Sequence, residues 1–243
     1  MKNKMNRKPP PGNVRWAAST GQNMRGVITN KTGRVVQFES WAERTLLLRL
    51  ERNPEVRDYA SQPEAFEYVD AQGKQHTYTP DFIVWYRDGR VEIHEVTLTQ
   101  RRLRPDIRQR EAAAARICEE RGWRYVVHTE QSLPRGSELA NLLAMFRYRP
   151  AAYANQAVAE AVSRRLGQGQ AMTLRRLVEQ LAAELGLAEP NVTAALVHML
   201  WHGQLSADLN QLIFAPDLGR LAPEVLIRLT SPSQEENNVT RPS

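Results

Sequence analysis

The sequence predicts a mixed α/β fold, a sheet flanked by helices, followed by a smaller α-rich domain. Three observations predict it. β-rich stretches ("EAFEYVD", "QHTYTPDFIVWY", "RVEIHEVTL", "RYVVHTE") fall between stretches with helical apolar spacing. Their order is helix, strands, helix, strand, which suits a mixed sheet. After Pro150 the chain turns to Gly-broken helical segments and one pair of short strands.

Residues 1–37 read as a basic, flexible arm. "KPPPG" resists helix, and there is no acid between Met1 and Val36. "ESWAERTLLLRLERNPEV" reads as a helix. Ser40 and Glu43 form a capping box, Leu46, Leu47 and Leu50 make the apolar stripe, and Pro54 ends it. "EAFEYVDAQGKQHTYTPDFIVWY" reads as two strands joined by a Gly-containing turn, and "RVEIHEVTL" as the next strand. "DIRQREAAAARICEERGW" is a helix ending at Gly122, and "RYVVHTE" one more strand. These make a domain over 38–150.

Three helical segments follow, "AAYANQAVAEAVSRRLG", "TLRRLVEQLAAELG" and "EPNVTAALVHMLWHG". "QLSADLNQLIFAP" then reads as two short strands around Asp208-Leu209-Asn210. Three helices and a strand pair are the winged-helix order, giving a second domain over 151–230. In its third helix Val192, Ala195, Leu196, Met199 and Leu200 form the core stripe. Asn191, Thr193, His198 and His202 are left for the exposed side. That set is weakly basic, so contact with protein and contact with DNA both stay open. Residues 231–243 read as a disordered tail.

Composition narrows the function. The chain has 243 residues, 42% of them hydrophobic, and no apolar run near the roughly 20 residues of a membrane span. The N-terminus lacks the apolar core of a secretory signal. Cys118 is the single cysteine, so it forms no internal disulfide or Cys-type metal site and reads as a core residue. A cytoplasmic location is expected. The net charge is +6 and is unevenly spread. Arg15, Arg25, Lys31 and Arg34 lie in the arm; Arg101, Arg102, Arg104, Arg108 and Arg110 follow the hairpin. Such clusters attract phosphate backbones, DNA here, although a merely solvated basic face has the same composition.

The hairpin within "TPDFIVWYRDGRVEIHEVTLTQ" carries an acid on each strand. A three-residue loop at Arg87-Asp88-Gly89 puts Tyr86 opposite Arg90, Asp81 opposite Glu95 and Thr79 opposite Thr97. Opposed residues share a face with Cβ atoms about 5 Å apart. A two-residue Asp-Gly loop would instead set Asp81 against Val96. Facing carboxylates repel unless one is protonated or a cation intervenes. They suit Mg²⁺, which takes oxygen ligands and activates water. The alternative is that Asp81 caps a turn after Pro80 and Glu95 faces solvent. Glu43, on the Leu46–Leu47 side of its helix, adds a third acid. Helix acid, strand Asp and next-strand acid make the constellation of the PD-(D/E)xK nucleases. His94 alternates to the other face and reads as packing or polar surface.

At this point the chain resembles the TnsA family, the endonuclease subunit of heteromeric transposases. The resemblance rests on "SWAERTLLLRLERNPEVRDYASQPEAFEY", "YTPDFIVW", "IHEVT", "RGWRYVVHTE" and "FRYRP", in order, over about residues 38–225. It implies a restriction-endonuclease-like fold plus a winged helix, and 5′-end cleavage of transposon DNA with Mg²⁺ (Mn²⁺ able to substitute). Glu43, Asp81 and Glu95 are then the catalytic and metal-binding acids, in a bacterial cytoplasmic protein. The implied partners are DNA at transposon ends, a DDE transposase (TnsB-like) and an ATPase regulator (TnsC-like). The C-terminal domain would engage the regulator, with Arg175 and Arg176 open to an acidic partner or to phosphate. The departure is Thr97, where the family pattern has lysine. Three explanations stand: a nearby cation substitutes (Arg101, Arg102 or Lys74); the metal and the Thr97 hydroxyl suffice; or the subunit is a catalytically silent assembly component.

Overall fold

A computed structural model of the chain describes residues 24–167, 170–215, 220–221 and 224–230. Arg15 and the tail from Ser231 lie outside the described residues. Two compact units divide the chain, residues 1–133 and 134–243. The division falls before Pro150, because the helix Gly136–Met145 packs within the second unit.

The first unit begins with a hairpin, β1 (Gly26–Thr29) and β2 (Val35–Phe38). The flexible-arm reading therefore does not hold for residues 26–38. Val36 and Phe38 are buried, and they join the apolar core beside α1 (Trp41–Arg52). The capping box at the start of α1 forms as read. Glu43 N donates to Ser40 Oγ (3.1 Å), and Glu39 N donates to Glu43 Oε2 (2.7 Å).

β3 (Val56–Ser61) follows directly. The sequence reading had no strand there. β4 (Phe66–Val69) and β5 (Gln75–Tyr78) form a separate hairpin. The stretch read as one strand through "QHTYTPDFIVWY" is thus two, broken at Thr79-Pro80, since proline has no N–H for the ladder. β6 (Phe82–Tyr86) and β7 (Val91–Val96) then pair antiparallel. α2 (Pro105–Glu120) crosses to β8 (Arg124–His128), which runs parallel to β7. The sheet order is β3-β6-β7-β8, mixed as predicted.

Alternation splits the sheet's side chains between two helices. Leu46, Leu47 and Leu50 of α1 pack on Phe82, Val84 and Tyr86; Ala114 and Cys118 of α2 pack on Ile83 and Ile93. Each fully buried leucine contributes about 1.5–3 kcal/mol. α2 ends in a Schellman motif, with Trp123 N bonding Cys118 O (2.8 Å) and Gly122 N bonding Glu119 O (3.0 Å). Gly122 stands at φ +68°, as the sequence reading of its role requires. Cys118 is the core residue expected, and burial pushes its thiol up to about 11.

The second unit holds α3 (Gly136–Met145), α4 (Gln156–Leu166), β9 (Ala171–Thr173), α5 (Leu174–Leu185), α6 (Glu189–Trp201), β10 (Leu205–Ala207), β11 (Phe214–Ala215), β12 (Arg220–Leu221) and β13 (Leu226–Leu229). β10, β13 and β9 form one antiparallel sheet. The two strands read around Asp208–Asn210 do not pair with each other. β10 pairs with β13 and β11 with β12. The stripe Val192, Ala195, Leu196, Met199 and Leu200 is buried as read. The four positions left for the exposed side divide. Asn191 and His202 are exposed; Thr193 and His198 are partly covered. Both histidines are hydrogen-bonded to backbone: His198 Nδ1 to Tyr148 O (2.8 Å) and His202 Nε2 to Arg149 O (2.9 Å).

Candidate active site

The turn between β6 and β7 settles the register. Tyr86 N donates to Arg90 O (2.9 Å) and Gly89 N to Tyr86 O (3.3 Å), closing a three-residue loop with Gly89 at φ +90°. A side chain other than glycine's is strained at that angle. Phe82 pairs with His94, so the next position outward sets Asp81 against Glu95. The three-residue reading of Arg87-Asp88-Gly89 is the one the structure adopts.

Asp81 sits one residue before β6. Its backbone O accepts from Gln62 N (2.7 Å), and its Oδ2 accepts from Val96 N (2.7 Å). The residue is thereby tied to strands on both sides. Glu95 is 5% exposed. Its Oε1 accepts from Arg110 Nη2 (2.6 Å), and its Oε2 accepts a short hydrogen bond from the Tyr78 hydroxyl. Tyr78 and Tyr125 hydroxyls lie 3.2 Å apart. Glu95 therefore does not face solvent.

The electrostatics are those of buried acids close together. Burial, then the Glu95 charge, raises the Asp81 carboxyl well above its ordinary range. Burial also raises Glu95, against the pull of Arg110. Glu43 is raised to about 7, first by burial and then by Asp81. The third acid is thus near enough to feel the second. Its oxygens are engaged by the capping box, Oε2 by Glu39 N and Oε1 by the Ser40 hydroxyl (2.9 Å). Among the described residues no three His, Cys, Asp or Glu side chains are gathered so as to hold a metal ion. The facing pair, all oxygen and both disfavoured as anions by burial, fits a hard divalent cation that keeps several waters of its own.

Thr97 follows the last residue of β7, and its N donates to His128 O (2.9 Å). None of the candidates for replacing lysine is bonded to the acid pair. Arg102 is bonded bidentately to Glu111 (3.0–3.1 Å), and Lys74 lies exposed in the β4–β5 turn with its N on Asp70 (2.9 Å). Arg101 is exposed in the turn before α2. The cation on the carboxylate pair is Arg110 of α2, which the sequence reading had placed only in a basic cluster. The signal was in the helix pattern. Arg110 precedes Ala113, Ala114, Ile117 and Cys118 by three, four, seven and eight residues, so it stands on the stripe that packs against the sheet. A charge on an apolar stripe calls for a buried partner.

The other side of the sheet carries a separate polar chain. His94 Nε2 meets Glu92 Oε2 (3.0 Å), His94 Nδ1 meets His128 Nε2 (2.9 Å), and Tyr86 donates to Glu92 (2.8 Å). His94 is therefore buried packing, as read. Among the basic residues proposed for DNA, Lys31 Nζ bonds Asn53 O (2.6 Å) and Val56 O (3.1 Å). Arg34 Nη2 bonds Asp58 (3.0 Å). Both brace the β1–β2 hairpin. Arg104 pairs with Asp106 and stays exposed, and Arg25 is partly covered. In the second unit Arg175 pairs with Glu179 along α5 (2.9 Å), and Arg176 is exposed.

Residues 53–130 match the TnsA-like endonuclease N-terminal family. The matched span runs from the end of α1 past β8. It includes Asp81, Glu95, Thr97 and Arg110 and leaves out Glu43. It covers less than half of the chain, and the second unit lies outside it. No curated protein matches the chain. The first unit thus carries a TnsA-like endonuclease domain, and its facing acids sit inside it. No helix among the described residues is long and apolar enough to cross a membrane.

Proposed function

We propose that the chain is the metal-dependent DNA endonuclease subunit of a transposase, hydrolysing phosphodiester bonds at the 5′ ends of the transposon. The observation that carries this is the register that sets Asp81 against Glu95 inside the TnsA-like span. Asp81 and Glu95 would hold Mg²⁺, or Mn²⁺ in its place, with Glu43 as the third acid. When bound, the ion supplies a Lewis acid for phosphate oxygens and lowers the pKa of a water. The protein does the rest. Val96 N anchors Asp81, the Tyr78 hydroxyl anchors Glu95, and Arg110 sets a positive charge beside Glu95. Glu43, raised to about 7 by burial and by Asp81, is the outer member of the acid set. Exposed arginines such as Arg101 and Arg104 hold the DNA backbone without reading sequence.

The second unit is proposed as a winged helix. The order helix, strand, helix, helix and then four short strands, α4 through β13, with β10, β13 and β9 in one sheet, supports it. The backbone of Tyr148 and Arg149 against His198 and His202 favours a protein partner over a major groove for α6. A DDE transposase of the TnsB type and an ATPase regulator of the TnsC type are the proposed partners.

One rival has its own support. Thr97 brings no charge, and both Glu95 oxygens are hydrogen-bonded within the protein. These fit a catalytically silent assembly subunit. The test is cleavage of transposon-end DNA with Mg²⁺ or Mn²⁺, with and without the partner transposase, for wild type and Asp81→Ala. Cleavage lost by at least about 10³-fold in the variant supports the nuclease, given the 10²–10³ effect of one catalytic donor. A wild type that binds DNA and partner yet never cuts supports the assembly role.

A further inference from the structure

We propose that Arg110, reaching in from α2, supplies the positive charge that Thr97 does not bring to the acid pair. This rests on the nuclease reading above. Lysine two residues after Glu95 would come from the same strand. Here the strand offers a hydroxyl, and the adjoining helix offers a guanidinium on the same carboxylate. Arg110 Nη2 lies 2.6 Å from Glu95 Oε1, the guanidinium stacks over Tyr78 at 4.5 Å, and Tyr78 holds the other Glu95 oxygen. The three side chains fix one another. Arg110 is thus a cation bonded directly to the acid pair.

The arrangement defines what Arg110 does. Guanidinium stays charged and does not accept a proton, so Arg110 supplies charge and is not a base. It neutralises part of the charge that two facing carboxylates build up. Its side chain remains 25% exposed, so the cation is not sealed from a phosphate in solution.

The test uses the full chain and four variants: Arg110→Met, Arg110→Lys, Thr97→Lys and the double variant Arg110→Met/Thr97→Lys. Cleavage of transposon-end DNA is measured beside Mn²⁺ binding by calorimetry and thermal melting. Arg110→Met is expected to cut about 10²-fold more slowly, the order of effect of one lost charged donor. It should bind Mn²⁺ no more weakly than wild type, because a cation beside the metal has been removed. The added lysine in the double variant should restore at least tenfold of the loss.

The proposal is overturned if Arg110→Met cuts at the wild-type rate, or if the double variant, folded by its melt, stays as slow as Arg110→Met. It is also overturned if Mn²⁺ binding weakens tenfold, which marks Arg110 as scaffolding for the ligand pair. Should Arg110→Met fail to fold, Arg110→Lys decides. Retained cutting in Arg110→Lys supports the role, and loss of cutting in Arg110→Lys, folded by its melt, rejects it. A wild type that does not cut refutes the nuclease reading and this one with it. A wild type that cuts while Arg110→Met cuts equally refutes this one alone.

Discussion

Replacing Glu43 by glutamine should stabilise the first unit at alkaline pH. Burial and the nearby Asp81 raise the Glu43 carboxyl from 4.5 to about 7. One pKa unit corresponds to about 1.4 kcal/mol, so the ionised side chain costs the fold about 3 kcal/mol. The sign follows from linkage. A folded-state pKa above the unfolded one gives stability that is whole below pH 4.5 and lost as pH rises through 7. A carboxylate in the first turn of a helix gains about 0.5–1 kcal/mol from the helix dipole, which works the other way. About 2 kcal/mol remains in favour of glutamine. The amide keeps an oxygen for Glu39 N, and glutamine serves a capping box as glutamate does. For a unit of this size that is about 6 °C in melting temperature. The assay is thermal unfolding of wild type and Glu43→Gln in EDTA at pH 4, 6 and 8. The two should coincide at pH 4 and separate progressively, the variant melting higher at pH 8. A variant that melts lower than wild type at pH 8 would refute the reasoning and show that the capping carboxylate outweighs its burial.

Other outcomes follow from the same geometry. Gly89→Ala places a side chain at φ +90° and should cost about 1–2 kcal/mol in urea unfolding; cleavage should fall with it, since this turn sets Asp81 against Glu95. Asn141 is buried, donates to Leu209 O (3.0 Å) and Gln211 O (2.7 Å), and accepts from Ile213 N (2.9 Å). Asn141→Ala should destabilise the second unit by about 2–4 kcal/mol, measured as a lower denaturant midpoint for that unit alone.

The sequence carried the hairpin because a turn is a local object. Arg87-Asp88-Gly89 fixes a loop length, the loop length fixes the register, and the register pairs Asp81 with Glu95. Ser40 with Glu43 and the Gly122 terminus were legible for the same reason. β3 was not, because "VRDYAS" shows no clean alternation; its pairing with β6, distant in sequence, makes it a strand. The break at Pro80 divides two stretches that are each β-forming, "QHTY" and "FIVWY", so composition alone joins them. β10 was assigned the wrong neighbour. Its partner β13 lies some twenty residues on, and short strands carry no mark of distant pairing. Arg110 went unassigned because its role depends on how α2 lies on the sheet, which spacing along one helix does not give.

Tyr78, Asp81, Glu95 and Arg110 all come from one continuous length of chain. That proximity gives the assembly a temporal order. A hairpin closes on a microsecond scale, before a helix docks on its sheet. The two acids therefore meet while the guanidinium is still in solvent, and the repulsion between them falls on the earliest step. Hairpin closure is easiest when one acid carries a proton. The residue that later makes the pair tolerable in the finished fold contributes nothing to its beginning, so substitutions at position 110 should speed unfolding and leave the rate of folding almost unchanged.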